Sequence, residues 1–164
     1  MTARTHVDVE ALDAAVRDVE DPELPHVTIG DLGIVRSVAV DGPTGTVELT
    51  PTYIGCPATE QIRDDVEAVV RDAGLQPDVR MVMSPAWTTD WITERGRERL
   101  HAAGIAPPPA TADGAVLVAI SRRSPCPRCG STQTRLITEF GATACKASYV
   151  CRDCGEPFEA FKAI

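Results

Sequence analysis

Apolar residues along the first twenty positions recur at helical spacing. Val9, Leu12, Val16 and Val19 share one face of the stretch from Asp8 to Val19, with Asp8 placed as an N-cap, and this predicts an amphipathic helix. Asp21-Pro22-Glu23-Leu24-Pro25 ends it, because two prolines forbid continuation, and a polar extended loop leads on to Ile29-Gly30-Asp31-Leu32-Gly33. The pattern then switches to period two. Ile34 to Val40 and Thr46 to Thr50 alternate on either side of Asp41-Gly42-Pro43-Thr44-Gly45, which predicts a β-hairpin. Helical spacing returns in Ile62, Val66, Val69 and Val70 and stops at Gly74. A third strand is predicted from Val79 to Met83, stopped by Ser84-Pro85, and a last short helix over Thr89 to Ala103 around Trp91, Ile92 and Leu100.

Ile105-Ala106-Pro107-Pro108-Pro109-Ala110 breaks both periodicities, and its three consecutive prolines make a stiff spacer. Beyond it, Gln133 to Phe140 and Cys145 to Val150 have strand composition. The expected architecture is α+β: a small α-β-β-α-β domain over residues 1–104, a Pro-rich linker over 105–113, and a compact cysteine-bearing module over 114–164. No internal repeat marks a solenoid.

Composition sharpens that division. The 164 residues carry a formal net charge of -8, but up to Ala110 there are 9 basic against 19 acidic residues, and beyond it 7 against 5. One cysteine, Cys56, lies in the first part, and five lie in the second: Cys126, Cys129, Cys145, Cys151 and Cys154. Aromatics make up only 4% of the chain, which leaves little surface for stacking on bases. The start, Met1 to Asp8, has no apolar core of a signal peptide, and the longest apolar run, Ala115 to Ile120, is too short to span a bilayer. A cytoplasmic protein without membrane association is expected. In that compartment clustered thiols bind metal more often than they pair as disulfides.

Cys126-Pro127-Arg128-Cys129-Gly130 and Cys151-Arg152-Asp153-Cys154-Gly155 stand 21 residues apart. Two residues between thiolates let both sulfurs of a tight turn point at one ion while backbone amides face them, and the following glycine supplies the positive φ such a knuckle needs. Two knuckles predict a zinc ribbon with Cys126, Cys129, Cys151 and Cys154 as ligands. A rubredoxin-like iron site shares the pattern. Four thiolates and one divalent cation add about -2, so the loaded module is near neutral and nucleic-acid binding is disfavoured.

Two thiols remain. Cys56 precedes Pro57 at the start of the second predicted helix, where unpaired amides and the helix dipole lower a thiol pKa; it is either a nucleophile or soft-metal ligand, or an inert cap. Asp31 reaches it only if the long loop folds over the helix start. Cys145 reads as a small buried hydrophobe of a ribbon strand, with Lys146 beside it as a group able to activate the thiol. His6, His26 and His101 lack a motif context and read as surface or loop residues rather than bases. Trp87 and Trp91, four apart beside Asp90, suit either a packed helix start or an exposed partner-binding ridge, with packing favoured.

Asp21-Pro22-Glu23-Leu24-Pro25, Asp31-Leu32-Gly33-Ile34-Val35 and Thr50-Pro51-Thr52-Tyr53-Ile54-Gly55-Cys56-Pro57 resemble the small α/β domain of SufT-type iron-sulfur maturation factors. Cys126-Pro127-Arg128-Cys129-Gly130-Ser131, Phe140-Gly141-Ala142-Thr143-Ala144-Cys145-Lys146-Ala147 and Glu156-Pro157-Phe158-Glu159-Ala160-Phe161-Lys162 resemble the PaaD family of phenylacetate degradation. The resemblance implies an accessory protein of the multicomponent phenylacetyl-CoA epoxidase, which pairs a di-iron oxygenase with an iron-sulfur flavin reductase. Its implied partners are those oxygenase and reductase components and the iron-sulfur assembly machinery. By the same analogy Cys56, in the Gly-Cys-Pro motif, holds or passes iron or a cluster. One thiolate cannot hold a cluster alone, so a second chain, Cys145 or a small thiol must complete the coordination, which implies a homodimer or a partner contact. No di-iron carboxylate-histidine motif, dinucleotide fingerprint or ferredoxin cysteine spacing is present, so catalysis by this chain itself is not expected. A non-catalytic scaffold subunit, a zinc-ribbon nucleic-acid regulator and a thiol enzyme using Cys56 are the competing readings.

Overall fold

The computed structural model describes residues 7–108 and 124–162. His6, the apolar run 115–120 and the linker beyond residue 108 lie outside the described residues. Helix α1 (Val9–Arg17) starts at Asp8, whose side chain accepts a hydrogen bond from the Glu10 amide, and it buries Leu12 and Val16. Strands β1 (Val35–Asp41) and β2 (Thr44–Leu49) form the expected antiparallel hairpin. Helix α2 (Ala58–Asp72) then carries the chain back so that β3 (Gln76–Met81) lies parallel to β2, a connection that requires a crossover. The sheet order is β1-β2-β3.

Strand β3 begins earlier than its hydrophobic alternation suggests, because pairing with β2 starts at Gln76 opposite Thr44. Pro77 is tolerated there because β3 is an edge strand. The core beneath the sheet joins Val47 and Leu49 of β2 to Ile62, Val66 and Val70 of α2, all buried. Truncating a side chain such as Leu49 to Ala at such a site costs about 2 to 5 kcal/mol.

The last expected helix is divided. A 3-10 turn covers Thr89–Trp91, Ile92 is extended, and α3 (Glu94–Ala102) restarts with Thr93 as its cap, the hydroxyl accepting from the Gly96 amide at 3.0 Å. Trp87 and Trp91 therefore do not share a helical face. Trp87 is buried and donates its indole N–H to the Leu32 carbonyl at 2.8 Å, which bears out packing over an exposed ridge. Trp91 is half-buried, with the Arg36 guanidinium 4.1 Å from its ring centroid. Gly33, at φ 68°, lies so close to the Trp91 backbone that an added Cβ would meet its carbonyl oxygen at 2.3 Å.

The second sheet has the order β4-β7-β6-β5. Strands β5 (Thr134–Thr138), β6 (Lys146–Cys151) and β7 (Pro157–Phe161) form an antiparallel ribbon, and β4 (Ile105–Ala106) adds to its edge parallel to β7. The residues immediately after α3 thus belong to the ribbon's sheet. The ribbon also shares the first core, because Phe161 packs on Trp87 with ring centroids 5.9 Å apart and Cys145 joins the same buried cluster. No helix among the described residues is long and apolar enough to cross a membrane.

Candidate metal centre and thiol cleft

The two knuckles of the ribbon face each other. Gly130 and Gly155 take φ 73° and 75°, and their amides donate to the carbonyls of Cys126 and Cys151 at 2.8 and 3.1 Å. These turns bring the sulfurs of Cys126, Cys129, Cys151 and Cys154 within 4.8 Å of one another. Cys126 Sγ lies 3.7 Å from Cys154 Sγ, and Cys129 Sγ lies 3.6 Å from Cys151 Sγ. Sulfurs about 2.3 Å from a tetrahedral zinc ion are separated by about 3.8 Å, so the donor set fits the ion. The amides of Cys154 and Asp153 hold the Cys151 thiol down to about 7 against desolvation. Cys129 faces the Ser131 amide, yet neighbouring Cys154, desolvation and the other two thiols push it up to about 12. A bound dication resolves this crowding by taking the place of the shared protons. Arg128 and Glu156 pair across the knuckles at 2.5 Å.

Cys56 and Cys145, the thiols outside this group, line one cleft between the first domain and the ribbon, together with Asp21 and Glu23. Loop closure sets the two carboxylates. The Asp21 amide donates to the Val27 carbonyl at 2.8 Å, and the Asp21 side chain accepts from the Glu23 amide at 2.8 Å, so the proline-bounded segment folds back toward α2. The Cys56 thiol donates to Glu23 Oε2 at 3.6 Å. On the ribbon side, Glu159 accepts from the Ala142 amide and pairs with Lys146 at 2.9 Å each, which fixes the turn that presents Cys145. Thr143 Oγ1 lies 3.1 Å from Cys145 Sγ.

The thiols are not activated as their neighbours in sequence suggest. The Ala58 amide does face Cys56, but burial, the Glu23 charge and Cys145 outweigh it and raise the thiol pKa. Burial likewise raises Cys145, reinforced by Asp21 and Glu23 and opposed by the Thr143 hydroxyl and, least, by Lys146, whose ammonium pairs with Glu159. Burial, with the neighbouring Glu23 charge, also raises Asp21 despite the amides of Glu23 and Leu24.

Asp31 does not approach Cys56. It is fully buried, accepts from the Thr28 amide at 3.1 Å, and pairs with Arg95 at 2.6 Å and Arg99 at 2.7 Å, which ties the long loop to α3. Although burial opposes ionisation, the Thr28 amide and the two guanidiniums hold its carboxyl below the usual range. His26 and His101 are exposed. Sequence reasoning singled out neither Asp21 nor Glu23 as a site residue; the only signal was two acids inside a segment stiffened by prolines.

Two large apolar side chains of the loops before α2 and after β5 are exposed. Ile54 is 81% and Phe140 72% exposed, and the Lys162 ammonium sits 4.8 Å from the Phe140 ring centroid and 5.9 Å from that of Tyr53.

Two family models match the chain: an iron-sulfur cluster assembly protein over residues 9–82 and a PaaD zinc beta ribbon domain over residues 111–162. A protein of Escherichia coli (strain K12) named as a subunit of 1,2-phenylacetyl-CoA epoxidase is 47% identical over 152 residues, covering 92% of this chain and 90% of that protein. The Fe-S protein maturation auxiliary factor SufT of Staphylococcus aureus (strain USA300) is 41% identical over 78 residues, or 46% of this chain and 88% of its own. Among solved structures, the DUF59 domain of Bacillus anthracis matches at a TM-score of 0.51 and 31% identity, covering 56% of this chain and 90% of that one. A conserved hypothetical protein of Thermotoga maritima matches at 0.50 and 26%, covering 61% and 98%.

Proposed function

Because the chain belongs to the PaaD family of 1,2-phenylacetyl-CoA epoxidase subunits, we propose that it is a cytoplasmic accessory factor of that epoxidation system, delivering iron or an iron-sulfur cluster through the Cys56 thiol. In this reading the chain carries out no ring epoxidation itself. A zinc ion held by Cys126, Cys129, Cys151 and Cys154 would be architectural, tying the turn before β5 to the turn between β6 and β7 in the ribbon whose Cys145 and Phe161 pack against the first domain.

The observation that carries the reading is the division of the thiols. Four gather within 4.8 Å of one another in the ribbon, while Cys56 stands outside that set just before α2, buried but lining the cleft beside Glu23 and Cys145. Exposed Ile54, two residues before Cys56, and exposed Phe140 suit docking of the recipient, either the oxygenase or the reductase.

Co-expressing the oxygenase and reductase components with wild-type chain or with Cys56→Ser tests it. Iron and acid-labile sulfide are then measured in the purified partners. Underloaded partners beside the variant are expected; full loading beside a folded, zinc-containing variant would overturn the reading. A scaffold role, which exposed Ile54 and Phe140 also suit, predicts full loading with Cys56→Ser and loss of co-purification with Ile54→Asp.

A further inference from the structure

Resting on the accessory reading, we propose that the recess between the loop after β2 and the segment after β3 is the docking site for the recipient. It takes a polypeptide segment that offers one bulky apolar side chain beside a carboxylate.

Apolar exposure is concentrated there. Six large apolar side chains are exposed among the described residues, and three of them, Tyr53 at 38%, Met83 at 49% and Ile54, line this one recess. Gathered exposure of that kind marks a binding surface, whereas scattered single residues do not. A fourth, Phe140, adjoins from the ribbon, because the Lys162 ammonium lies over both its ring and the ring of Tyr53. Trp87 forms part of the lining and is fixed in place by the Leu32 carbonyl and by Phe161. A wall already held in position loses little freedom when a partner arrives.

The recess has a polar requirement as well. Thr50 lines it, and among the described residues Thr50 Oγ1 is the buried side-chain oxygen that has no hydrogen-bond partner. Buried hydroxyls are normally paired. The backbone amide or carbonyl next to an inserted side chain supplies a partner of the right kind.

Charge selects the occupant. No charged side chain lines the recess, so an apolar group enters it without stranding a charge. Beside it stands Lys162, which takes part in none of the ion pairs among the described residues. On a chain of formal net charge -8, this local cation complements an acidic neighbour of the inserted side chain. Position favours the recipient as the source of the segment. Pro51 and Thr52 line both the recess and the cleft, and Ile54 stands two residues before Cys56, so a protein seated here lies next to the transfer thiol.

Calorimetry of the zinc-loaded full chain against the purified reductase and oxygenase components, at low and at physiological salt, tests the proposal. Wild type is expected to bind one component with an affinity that falls as salt rises. Met83→Asp should weaken binding at least about tenfold. Lys162→Met, which keeps the apolar stem, should weaken it about threefold and abolish the salt dependence. Thr50→Val, which keeps the shape of the side chain, should weaken it about fivefold with no loss of stability in urea. Zinc content and the urea midpoint report that each variant is folded. Wild-type affinity in all three variants, binding indifferent to salt, or no binding of either component by wild type would overturn the site. So would self-association of wild type that Met83→Asp abolishes, since a second copy would then occupy the recess. If Cys56→Ser starves the partners of metal while Met83→Asp binds and loads them fully, the docking site fails and the accessory reading survives. If Met83→Asp no longer binds while Cys56→Ser leaves the partners fully loaded, the docking site stands and delivery through Cys56 fails.

Discussion

The Cys56 sulfur lies 3.6 Å from a carboxylate oxygen of Glu23, a residue 33 positions earlier in the chain. The contact places a nucleophilic atom beside a negative charge, the reverse of the environment in which thiols are activated. Burial first, then Glu23 and Cys145, raise the Cys56 pKa. Alkylation of Cys56, followed by mass spectrometry across pH, should therefore be slow at neutral pH and still rising above pH 9. Glu23→Gln should shift the profile downward. A rate that levels off below pH 8 in wild type would show an activated thiolate instead.

Asp31 is buried with two arginines whose heads reach it from α3. Asp31→Asn removes a charge-assisted network and should destabilise the protein by about 2 to 3 kcal/mol in urea unfolding. Since the folded carboxyl titrates below its ordinary value of 3.8, its contribution is present above that pH and fades as pH falls through the lower folded value. The stability difference between wild type and Asp31→Asn should accordingly shrink in acid and remain constant from pH 6 to 8.

Zinc removal should be felt beyond the ribbon. Phe161 of β7 stacks obliquely on Trp87 in the first core, so loss of ribbon order changes the surroundings of that indole. In a Trp91→Phe background, chelation of zinc should red-shift Trp87 fluorescence, and Cys126→Ser should reproduce the shift. Unchanged emission after complete zinc loss would mean that the ribbon docks without its metal.

Gly33 stands at φ 68° with the Trp91 backbone where a side chain would project. Gly33→Ala meets both strain and collision. A loss of at least about 1 kcal/mol is expected in thermal or urea unfolding, with zinc content unchanged.

Much of this molecule is legible in the pattern of its residues. The two knuckles could be read because zinc ligation imposes a local spacing, and α1, the hairpin and α2 because their apolar periods are set by the sheet they cover. What spacing cannot convey is contact between remote segments. Glu23 meets Cys56 only through closure of the 20–28 loop, and Cys145 arrives there only because Phe161 seats the ribbon on Trp87. Lys146 shows the same limit in reverse: adjacent to Cys145 in sequence, it turns to Glu159. The expected single helix from Thr89 to Ala103 failed for a local reason, since Thr93 caps a new helix in the middle of it.

The central claim is that metal leaves the cleft for a partner while the ribbon's zinc stays. Wild-type chain loaded anaerobically with iron(II) and mixed with metal-free oxygenase or reductase component, followed by separation and metal analysis, tests it directly. Iron should appear on one partner, zinc should remain with the chain, and Cys56→Ser should pass no iron above the level of free iron in buffer. Iron retained by the wild-type chain, or delivered equally well by Cys56→Ser, would contradict the account.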